Sequence, residues 1–392
     1  MAAPDRGRRH GHGRQRSDSY DRTWHGRQVH EFTNPARLDV KGTLAALGTY
    51  AKPIVFTSFK DDSVAGDTNG DSGVSAPAAS DWLGIRFSST TAIGRLENVR
   101  ITYADRAIEG TGSGASIHVR NAVLRETRYG IYTYTALVDI LAENCLIADS
   151  QYTGVFARAD ARVVVRNSTL VGNGFQGSSG YDRSAIHLGA ANLTLENSIV
   201  AFNANGLNHS GWIPQVSVRH NVFYNPSGQE VLWNSDPGEP KLNEDGNRRA
   251  DPLFVDRAAG NYHLAAGSPA IDAGRGRDAP LRDLLGRPRY DDPGMANVGS
   301  GSPAYVDIGA FERQTATPPA DLAVLAVSAP QPNRVAPGDV ITVGWTVGNA
   351  GTRPLGGTWY DAVYLSTSPY LNASEDRLLH VVQRGGDRPR AR

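Results

Sequence analysis

Hydrophobic and polar residues alternate over a long central stretch of the chain, and an asparagine returns there at a nearly fixed interval. Four and two residues before each asparagine the positions are mostly apolar, and one residue before it the position is charged or histidine. Apolar side chains at every second residue are the pattern of a half-buried strand. A period near 23 residues indicates a repeat architecture. The asparagines are Asn98, Asn121, Asn144, Asn167, Asn197 and Asn221, separated by 23, 23, 23, 30 and 24 residues.

After each asparagine the apolar positions change phase. Such a change needs a residue that redirects the backbone, and asparagine tolerates the left-handed conformation better than most residues. We therefore interpret each asparagine as a corner between two strands. A third strand begins about nine residues later, at a small residue followed by an aliphatic one. These pairs are Ala107-Ile108, Gly130-Ile131, Gly154-Val155, Ala185-Ile186 and Gly206-Leu207.

Three short strands in each repeat predict one coil of a right-handed parallel β-helix. Successive coils stack about 4.8 Å apart as parallel strands in register, and crossovers between parallel strands are overwhelmingly right-handed. Equivalent side chains then form columns along the axis, so the corner asparagines are expected to bond to one another. In the last coil this alignment places Ser217 and Arg219 in the inward columns. A column of alternating charge is also expected, made of Glu97, Arg120, Glu143, Arg166, Glu196 and His220.

Two outward-facing columns are candidates for contacts with other molecules. Beside the third strand lie Tyr132, Phe156 and His187, with Tyr134 and Arg158 two residues further along on the same face. Aromatic rings beside polar groups suit stacking on sugars, and we predict these five as ligand-binding residues. The alternative is cross-coil packing that only stabilises the sheet. The second column is apolar and is expected to lie under a loop or a partner; it comprises Val123, Leu146, Ile199 and Phe223.

Two polar insertions interrupt the repeat. The first, residues 61–81, contains Asp67, Asn69 and Asp71 within a glycine-bearing segment. Oxygen ligands at alternate positions suit calcium, which takes six to eight oxygens in flexible geometry, so these three are candidate Ca²⁺ ligands. Ala78 stands where an EF-hand loop would carry its closing glutamate, and an ordinary solvated turn is the alternative. The second insertion, residues 173–183, accounts for the 30-residue step and is expected to border a cleft.

Composition limits the class of protein. Among 392 residues, 40 basic and 40 acidic side chains leave no net charge that would draw the chain to nucleic acid. A single cysteine excludes an internal disulfide framework, and Cys145 falls in an inward column, where we expect a buried side chain. No run of 18 apolar residues occurs, so no transmembrane segment is predicted. Residues 1–30 are arginine-rich without an apolar core, which predicts a disordered tail and no signal peptide.

Beyond residue 235 the coil pattern ends and two segments resemble known families. Residues 249–313 end in Asp307-Ile308-Gly309-Ala310-Phe311-Glu312 and resemble the choice-of-anchor Q segment of bacterial surface β-helix proteins. The resemblance implies a cap over the last coil, because an open solenoid end exposes apolar residues and strand edges. Residues 321–392 alternate as strands around Trp345 and resemble a shortened CARDB module, an immunoglobulin-like sandwich.

The predicted fold class is therefore all-β. It consists of a right-handed parallel β-helix with three strands and about 23 residues per coil, followed by a partial immunoglobulin-like sandwich. The predicted boundaries are 1–30 for the tail, 31–235 for the β-helix, 236–314 for the cap, 315–320 for a linker and 321–392 for the sandwich.

The long β-helix also resembles the pectin-lyase-like superfamily, which contains pectate lyases, polygalacturonases and many proteins with no known activity. Its lyases use Ca²⁺ held by carboxylates with an arginine as base, and its hydrolases use a close set of aspartates. No matching motif surrounds Asp139, Asp149, Asp160 or Arg158. We therefore expect a non-catalytic, secreted or cell-surface protein that binds polysaccharides or other surface ligands in adhesion. A polysaccharide lyase or glycoside hydrolase is the alternative, and the oligomeric state is left open.

Overall fold

The computed structural model describes residues 35–135, 137–177, 182–211, 215–233, 240–314, 322–328, 342–349, 358–365 and 377–385. Over these ranges the chain is all-β, as predicted, and its β-helix strands form three parallel sheets. The same ranges contain no helix long and apolar enough to cross a membrane. The predicted tail at 1–30 and linker at 315–320 lie outside the described residues.

Seven successive coils each contribute one strand to each parallel sheet, and the last described strands extend only the first and third sheets. The first sheet contains, in spatial order, β1 (Arg37–Val40), β4 (Trp82–Phe87), β7 (Ala104–Gly110), β10 (Tyr129–Thr133), β13 (Val155–Arg158), β16 (Ile186–Gly189), β19 (Leu207–Ser210) and β22 (Val231–Trp233). The second sheet contains β2 (Thr43–Leu47), β5 (Ile93–Glu97), β8 (Ser116–Arg120), β11 (Asp139–Glu143), β14 (Arg162–Arg166), β17 (Asn192–Glu196) and β20 (Val216–Arg219). The third sheet contains β3 (Ile54–Phe56), β6 (Val99–Thr102), β9 (Val123–Arg125), β12 (Leu146–Ala148), β15 (Thr169–Val171), β18 (Ile199–Ala201), β21 (Val222–Tyr224) and β23 (Arg248–Arg249).

Six coils turn between the second and third sheets at a residue in the left-handed conformation, as predicted for five of them. The five asparagines from Asn98 to Asn197 have φ between 47° and 52°. The next corner is His220, with φ 51°, rather than Asn221. The pattern of that coil therefore lies one residue earlier than the sequence alignment placed it. As a result Val216 and Val218 continue the inward columns of the second sheet.

The same shift corrects the last member of the charged column, which is Arg219 rather than His220. The column otherwise stacks as predicted along the second sheet. Arg120 Nε lies 3.3 Å from Glu143 Oε1, and Arg166 Nε lies 2.5 Å from Glu143 Oε2. Alternating charge between neighbouring coils therefore supports the register of this sheet.

The corner asparagines form fewer bonds with one another than expected. Among the described corners, one amide–amide bond is present, in which Asn144 Nδ2 donates to Asn121 Oδ1 at 3.1 Å. A continuous amide ladder occurs instead at the other end of the third sheet. There Asn173 Nδ2 donates to Asn203 Oδ1 at 2.9 Å, and Asn203 Nδ2 donates to Asn225 Oδ1 at 3.0 Å. These three side chains are almost completely buried, so the ladder satisfies polar groups inside the coil.

The outward apolar column of the third sheet is covered, as predicted, but one residue was assigned to it wrongly. Leu146 and Ile199 are buried under residues 249–314. Val222 pairs with Ile199 and continues the column, whereas Phe223 pairs with Val200 and belongs to the core. The covering residues therefore bury an apolar strip that the coils alone would leave exposed.

We call residues 249–314 the side cover, because they lie along the third sheet. The sequence predicted that this segment covers the end of the solenoid, and the structure corrects that prediction. The Gly309 N–H donates to the Asn197 carbonyl at 2.8 Å, and the Ala310 N–H donates to Thr169 Oγ1 at 3.1 Å. The side cover is irregular apart from one antiparallel hairpin, formed by β24 (Phe254–Asp256) and β25 (Asn261–Leu264). At the end of the solenoid, Leu242 packs into the β-helix core.

The structure explains why the motif at 307–312 has its residues. Gly309 has φ 109°, and a Cβ there would lie 2.8 Å from Ile199 Cδ1 and 3.1 Å from Thr169 Oγ1, so only glycine allows the approach. Ala310 and Phe311 pack in the same apolar cluster as Leu146. The motif therefore acts in docking the side cover onto the β-helix.

The C-terminal part forms two antiparallel ribbons. The first pairs β26 (Leu322–Ser328) with β27 (Gly344–Asn349), and the second pairs β28 (Thr358–Leu365) with β29 (Arg377–Gly385). Trp345 lines a cleft between them, and its Nε1 donates to Asp361 Oδ2 at 3.0 Å. The assignment of this C-terminal part to a CARDB module stays a prediction.

Candidate ligand-binding face

The predicted aromatic column, Tyr132, Phe156 and His187, lies on the outer face of the first sheet. The three residues pair in register along β10, β13 and β16. The rings of Tyr132 and Phe156 are stacked with centroids 4.8 Å apart and planes 8° apart. Phe156 and His187 are stacked at 4.9 Å and 28°. The coil spacing therefore brings the rings together as the repeat predicted.

The faces of these rings are covered by one another. Phe156 is 6% exposed and His187 is 1% exposed, because each ring lies against the next along the axis. The Arg106 guanidinium covers the Tyr132 ring at 4.4 Å from its centroid. A sugar ring has no free face to stack on at Phe156 or His187, so their contribution here is the cross-coil packing that was the alternative.

Among the five predicted residues Tyr134 is the most exposed, and we call Tyr134 and the adjacent Arg158 the rim. The Tyr134 side chain is 56% exposed. The Arg158 guanidinium lies over its ring, 5.0 Å from the centroid. Gly189 lies beside Arg158, and a Cβ at that position would be 2.6 Å from Arg158 Nε. The small neighbour therefore lets the arginine lie flat along the sheet and holds its orientation.

Arg158 has no ion pair with a carboxylate in the part of the chain that the structure describes. Its neighbours on the same face differ, since Arg86 pairs with Asp39 at 2.5 Å and Arg106 with Glu109 at 2.6 Å. The positive charge of Arg158 also contributes, after burial, to lowering the pKa of His187 to about 4. His187 is therefore neutral near pH 7, and the rim presents a cation beside an aromatic ring.

Sequence analysis missed a second row of residues that packs against the aromatic column. Tyr129 is edge-on to Tyr132 at 5.1 Å, and Tyr152 is edge-on to Tyr129 at 5.4 Å. The Arg128 guanidinium lies 4.5 Å from the Tyr152 centroid. The sequence contained a signal for this row, because Tyr129 lies three residues before Tyr132 and Tyr152 lies four residues before Phe156. The two tyrosines were not aligned because the repeat alignment of this strand began at the aliphatic residue that follows them.

The second insertion contacts this face, whereas the cleft that it was expected to border stays a prediction. The Tyr129 hydroxyl donates to Asp182 Oδ1 at 2.8 Å, which ties the end of the insertion to the aromatic residues. Burial, followed by this bond, raises the pKa of Tyr129. Residues 178–181 of the insertion lie outside the described residues.

The acidic residues considered for catalysis do not converge. Asp139 pairs with Arg162 at 2.8 Å on the second sheet. Asp149 pairs with Arg125 at 2.9 Å, beyond the third sheet. Asp139 and Asp149 are thus each paired with an arginine on a separate part of the coil, and they do not form a close pair of carboxylates.

The first insertion brings three carboxylates together. Oxygen atoms of Asp62, Asp67 and Asp71 lie within 4.8 Å of one another. Asp62 was not predicted, because it precedes the alternating segment in sequence. Its Oδ1 is buried and has no hydrogen-bond partner, and burial together with Asp67 and Asp71 raises its pKa. Closely spaced carboxylates and one bare oxygen are a donor set that fits a hard divalent cation such as Ca²⁺.

The third predicted metal ligand, Asn69, has a different role. Its Oδ1 accepts the Asp71 N–H at 3.0 Å, and its Nδ2 donates to Asp71 Oδ2 at 3.0 Å. Asp67 also accepts backbone N–H groups of the loop, from Gly70 at 2.8 Å and Ser72 at 2.9 Å. The loop is therefore held in shape by its own side chains.

Comparison with curated proteins and with solved structures gave no match. Comparison with protein families gave a match to the model described as the right handed beta helix region, over residues 83–243. The matched range covers most of the stacked coils, from β4 onwards, and agrees with the parallel sheets described above. The coiled part of this chain is a right-handed parallel β-helix.

Proposed function

We propose that this protein is a secreted or cell-surface β-helix protein that binds a glycan at the rim of the first sheet, without turnover, as part of adhesion. The observation that carries the proposal is the pairing of the exposed Tyr134 ring with Arg158, whose charge is not neutralised by a described carboxylate. An aromatic face and a cation together suit a sugar that carries hydroxyl or acidic groups. The buried aromatic column beside it gives the rim a rigid support.

The location outside the cell is supported by the resemblance of residues 249–313 to segments of bacterial surface proteins. The β-helix supports many functions, so the binding role rests on the rim and not on the fold.

A glycan array tests the proposal directly. Wild-type protein is expected to bind a subset of glycans, and Tyr134→Ala and Arg158→Gln are each expected to weaken that binding about tenfold or more, since each removes a contact worth about 1–3 kcal/mol. Tyr360→Ala and Arg162→Gln are matched controls, because Tyr360 and Arg162 are exposed residues of the same types on other surfaces. Equal binding by rim variants and controls would contradict the proposal.

A second measurement distinguishes binding without turnover from the alternative, in which the protein is a polysaccharide lyase or glycoside hydrolase. The protein is incubated with a panel of uronate-containing polysaccharides, and unsaturated products and new reducing ends are measured. Binding without either product supports the proposal. Formation of either product that Arg158→Gln abolishes would replace the binding role by catalysis at the same rim.

We also propose that the first insertion binds Ca²⁺ through Asp62, Asp67 and Asp71. The proximity of their oxygens and the bare Oδ1 of Asp62 support this site. Added Ca²⁺ is expected to raise the melting temperature, because a ligand that binds only the folded state stabilises it. Asp62→Asn should abolish that rise while keeping the loop, since Asp62 Oδ1 takes no part in its hydrogen bonds. A rise of equal size in Asp62→Asn and in wild type would exclude Asp62 as a ligand.

A further inference from the structure

The side cover has little regular secondary structure and contains a network of buried carboxylates. In residues 249–314, all of which the structure describes, five acidic side chains are at most 3% exposed. Ionised groups are rarely buried without compensation, so the charge balance of this network decides how firmly the side cover is held. The five are Asp272, Asp283, Asp292, Asp307 and Glu312.

Backbone N–H groups join these carboxylates into one chain of hydrogen bonds. The Asp272 N–H donates to Asp307 Oδ1 at 2.8 Å, and the Asp292 N–H donates to Asp272 Oδ2 at 3.1 Å. The Arg313 N–H donates to Asp307 Oδ2 at 2.7 Å, and the Asp307 N–H donates to Glu312 Oε2 at 3.2 Å. The network thus connects the middle of the side cover to the docking motif at 307–312.

Two arginines neutralise only part of the negative charge. Arg289 pairs with Glu312 at 2.7 Å, and Arg313 pairs with Asp292. Asp283 is compensated by the backbone instead, because it accepts N–H groups from residues 285, 287 and 312.

Like Asp283, Asp272 and Asp307 have no cationic partner among the described residues, and Asp272 has the fewest hydrogen bonds of the three. In residues 249–314 neither forms an ion pair, and Asp272 Oδ1 accepts no hydrogen bond. The bond from the Asp272 N–H to Asp307 keeps the two side chains next to each other. A proton on Asp272 would remove one of two neighbouring buried charges and would sit on a carboxyl group whose Oδ1 has no partner.

The surroundings of Asp272 favour this proton. Burial raises the pKa of Asp272 to about 7, and the charges of Asp291, Glu312 and Asp292 act in the same direction. Burial also raises the pKa of Asp307 well above its ordinary value.

The β-helix offers this part of the side cover few charges. Ile271 and Ala273, on either side of Asp272, pack against apolar residues of the third sheet. The charged or titratable groups at this edge of the coils include Glu196, which pairs with Arg275 at 2.7 Å, and His220, whose Nε2 is 2.9 Å from Ser300 Oγ. Asp245 and Arg248 lie near His220.

We propose that the side cover is a proton-dependent latch, in which a proton on the buried Asp272 carboxyl group keeps it docked on the third sheet and loss of that proton loosens it. Release would expose the apolar strip that includes Leu146 and Ile199. A released carboxyl returns to a pKa near 4 while the docked one titrates near 7. The opening constant therefore rises by up to about tenfold per pH unit between those values and levels off above 7.

Two histidines act in the opposite direction, since burial lowers the pKa of both His220 and His263. Their protonation weakens docking below about pH 6.5. The contribution of the carboxylates is isolated by comparing wild type with Asp272→Asn, which leaves both histidines in place.

Hydrogen exchange on the full chain tests the latch, with protection factors corrected for the intrinsic dependence of exchange on pH. From pH 5 to pH 8, wild type is expected to lose about tenfold or more protection in residues 249–314, while the strands of the β-helix keep theirs. Asp272→Asn is expected to lose no protection in the side cover as the pH rises, and to gain some between pH 5 and pH 6.5 as His220 and His263 lose their protons. Asp278→Asn, a change at an exposed carboxylate of the same segment, should keep the wild-type profile.

The wild-type profile decides the proposal even if Asp272→Asn fails to fold. Unchanged protection of the side cover from pH 5 to pH 8 would overturn it, and so would simultaneous loss of protection in the side cover and the coils. A folded Asp272→Asn protein with the wild-type pH dependence would assign the effect to other groups and equally reject the latch. None of these outcomes bears on glycan binding at the rim.

Discussion

At the scale of single residues, a change of one position at the last corner decides which side chains enter the core. The sequence aligns on asparagine, and Asn221 fits that alignment, but the backbone turns at His220. Asn221 is instead a buried ladder residue, whose Nδ2 donates to Asn247 Oδ1 at 3.0 Å. The sequence carried a warning, because the asparagine alignment placed Ser217 and Arg219 in apolar columns. Apolar periodicity is thus the safer guide to register than a single residue type.

His187 gives a prediction that depends on pH. Burial lowers its pKa to about 4, whereas an unfolded histidine titrates near 6.5. The unfolded state therefore binds more protons as pH falls from 6.5 to 4, and folding stability drops by up to about 3 kcal/mol over that window. His187→Phe keeps a ring to stack on Phe156 and removes the titration. The variant should lose less stability than wild type between pH 7 and pH 4.5 in urea unfolding.

The matched control for this experiment is His380→Phe, because His380 lies exposed on a C-terminal strand. It should show the wild-type loss of stability at low pH. An equal loss in His187→Phe and wild type would mean that His187 does not contribute to acid sensitivity.

At the scale of the elements, polar ladders rather than long strands close each coil. Strands of the third sheet in the central coils are short, such as Leu146–Ala148 and Thr169–Val171, and buried side chains bond at both of their ends. At one end Cys145 N–H donates to Ser168 Oγ at 3.0 Å, and Ser168 N–H donates to Ser198 Oγ at 3.2 Å. Side-chain oxygens thus accept backbone N–H groups of the neighbouring coil at the tight turns, where the strands end.

Asn203 tests this role of the ladders. Asn203→Ala removes the acceptor of Asn173 Nδ2 and the donor to Asn225 Oδ1, both inside the coil. Leaving buried amide groups without partners should lower the free energy of unfolding by about 3 kcal/mol. Asn192→Ala is the control, since Asn192 is partly exposed and accepts one N–H from Gln215 at 2.8 Å. Denaturant unfolding should show a clearly smaller loss for the control, and equal losses would contradict the ladder's role.

At the scale of the whole molecule, the side cover converts an open repeat into a closed structure. The repeated coils carry an apolar strip on the outside of the third sheet, and residues 249–314 bury it through two apolar clusters and backbone bonds to Asn197 and Thr169. This contact joins residues more than 100 positions apart in sequence, as in the bond from Ala310 to Thr169. The side cover is therefore expected to depend on the β-helix for its position and stability.

Gly309 provides the test at this scale. Gly309→Ala introduces a Cβ 2.8 Å from Ile199 Cδ1 at a residue with φ 109°, and should lower stability by about 2–4 kcal/mol and loosen the side cover. Gly267→Ala is a matched control, because Gly267 also has positive φ, 80°, but a Cβ there meets nothing within 4 Å. Its cost should be about 1 kcal/mol, from backbone strain alone. Thermal unfolding and hydrogen exchange of residues 249–314 measure both effects, and similar losses in the two variants would show that the close contact is unimportant.

The candidate site shows where sequence analysis reached its limit. The stacking of Tyr132, Phe156 and His187 was predictable, because a fixed repeat places equivalent residues over one another. Whether their faces remain free was not, since ring orientation depends on neighbours such as Arg106, which covers Tyr132. The approach of Asp62 to Asp67 and Asp71 likewise follows from the path of a loop and not from any spacing in sequence.

The sequence by itself determined the coil, its three sheets and nearly every column along the axis, because the two-residue period of strands and the 23-residue repeat are local properties of the chain. Only the tertiary structure decided that residues 249–314 lie along the side of the solenoid, that five carboxylates are buried within them, and that Tyr134 and Arg158 lie together at the rim. These features arise from contacts between distant segments, and the energy of such contacts depends on burial and charge balance that no local pattern records.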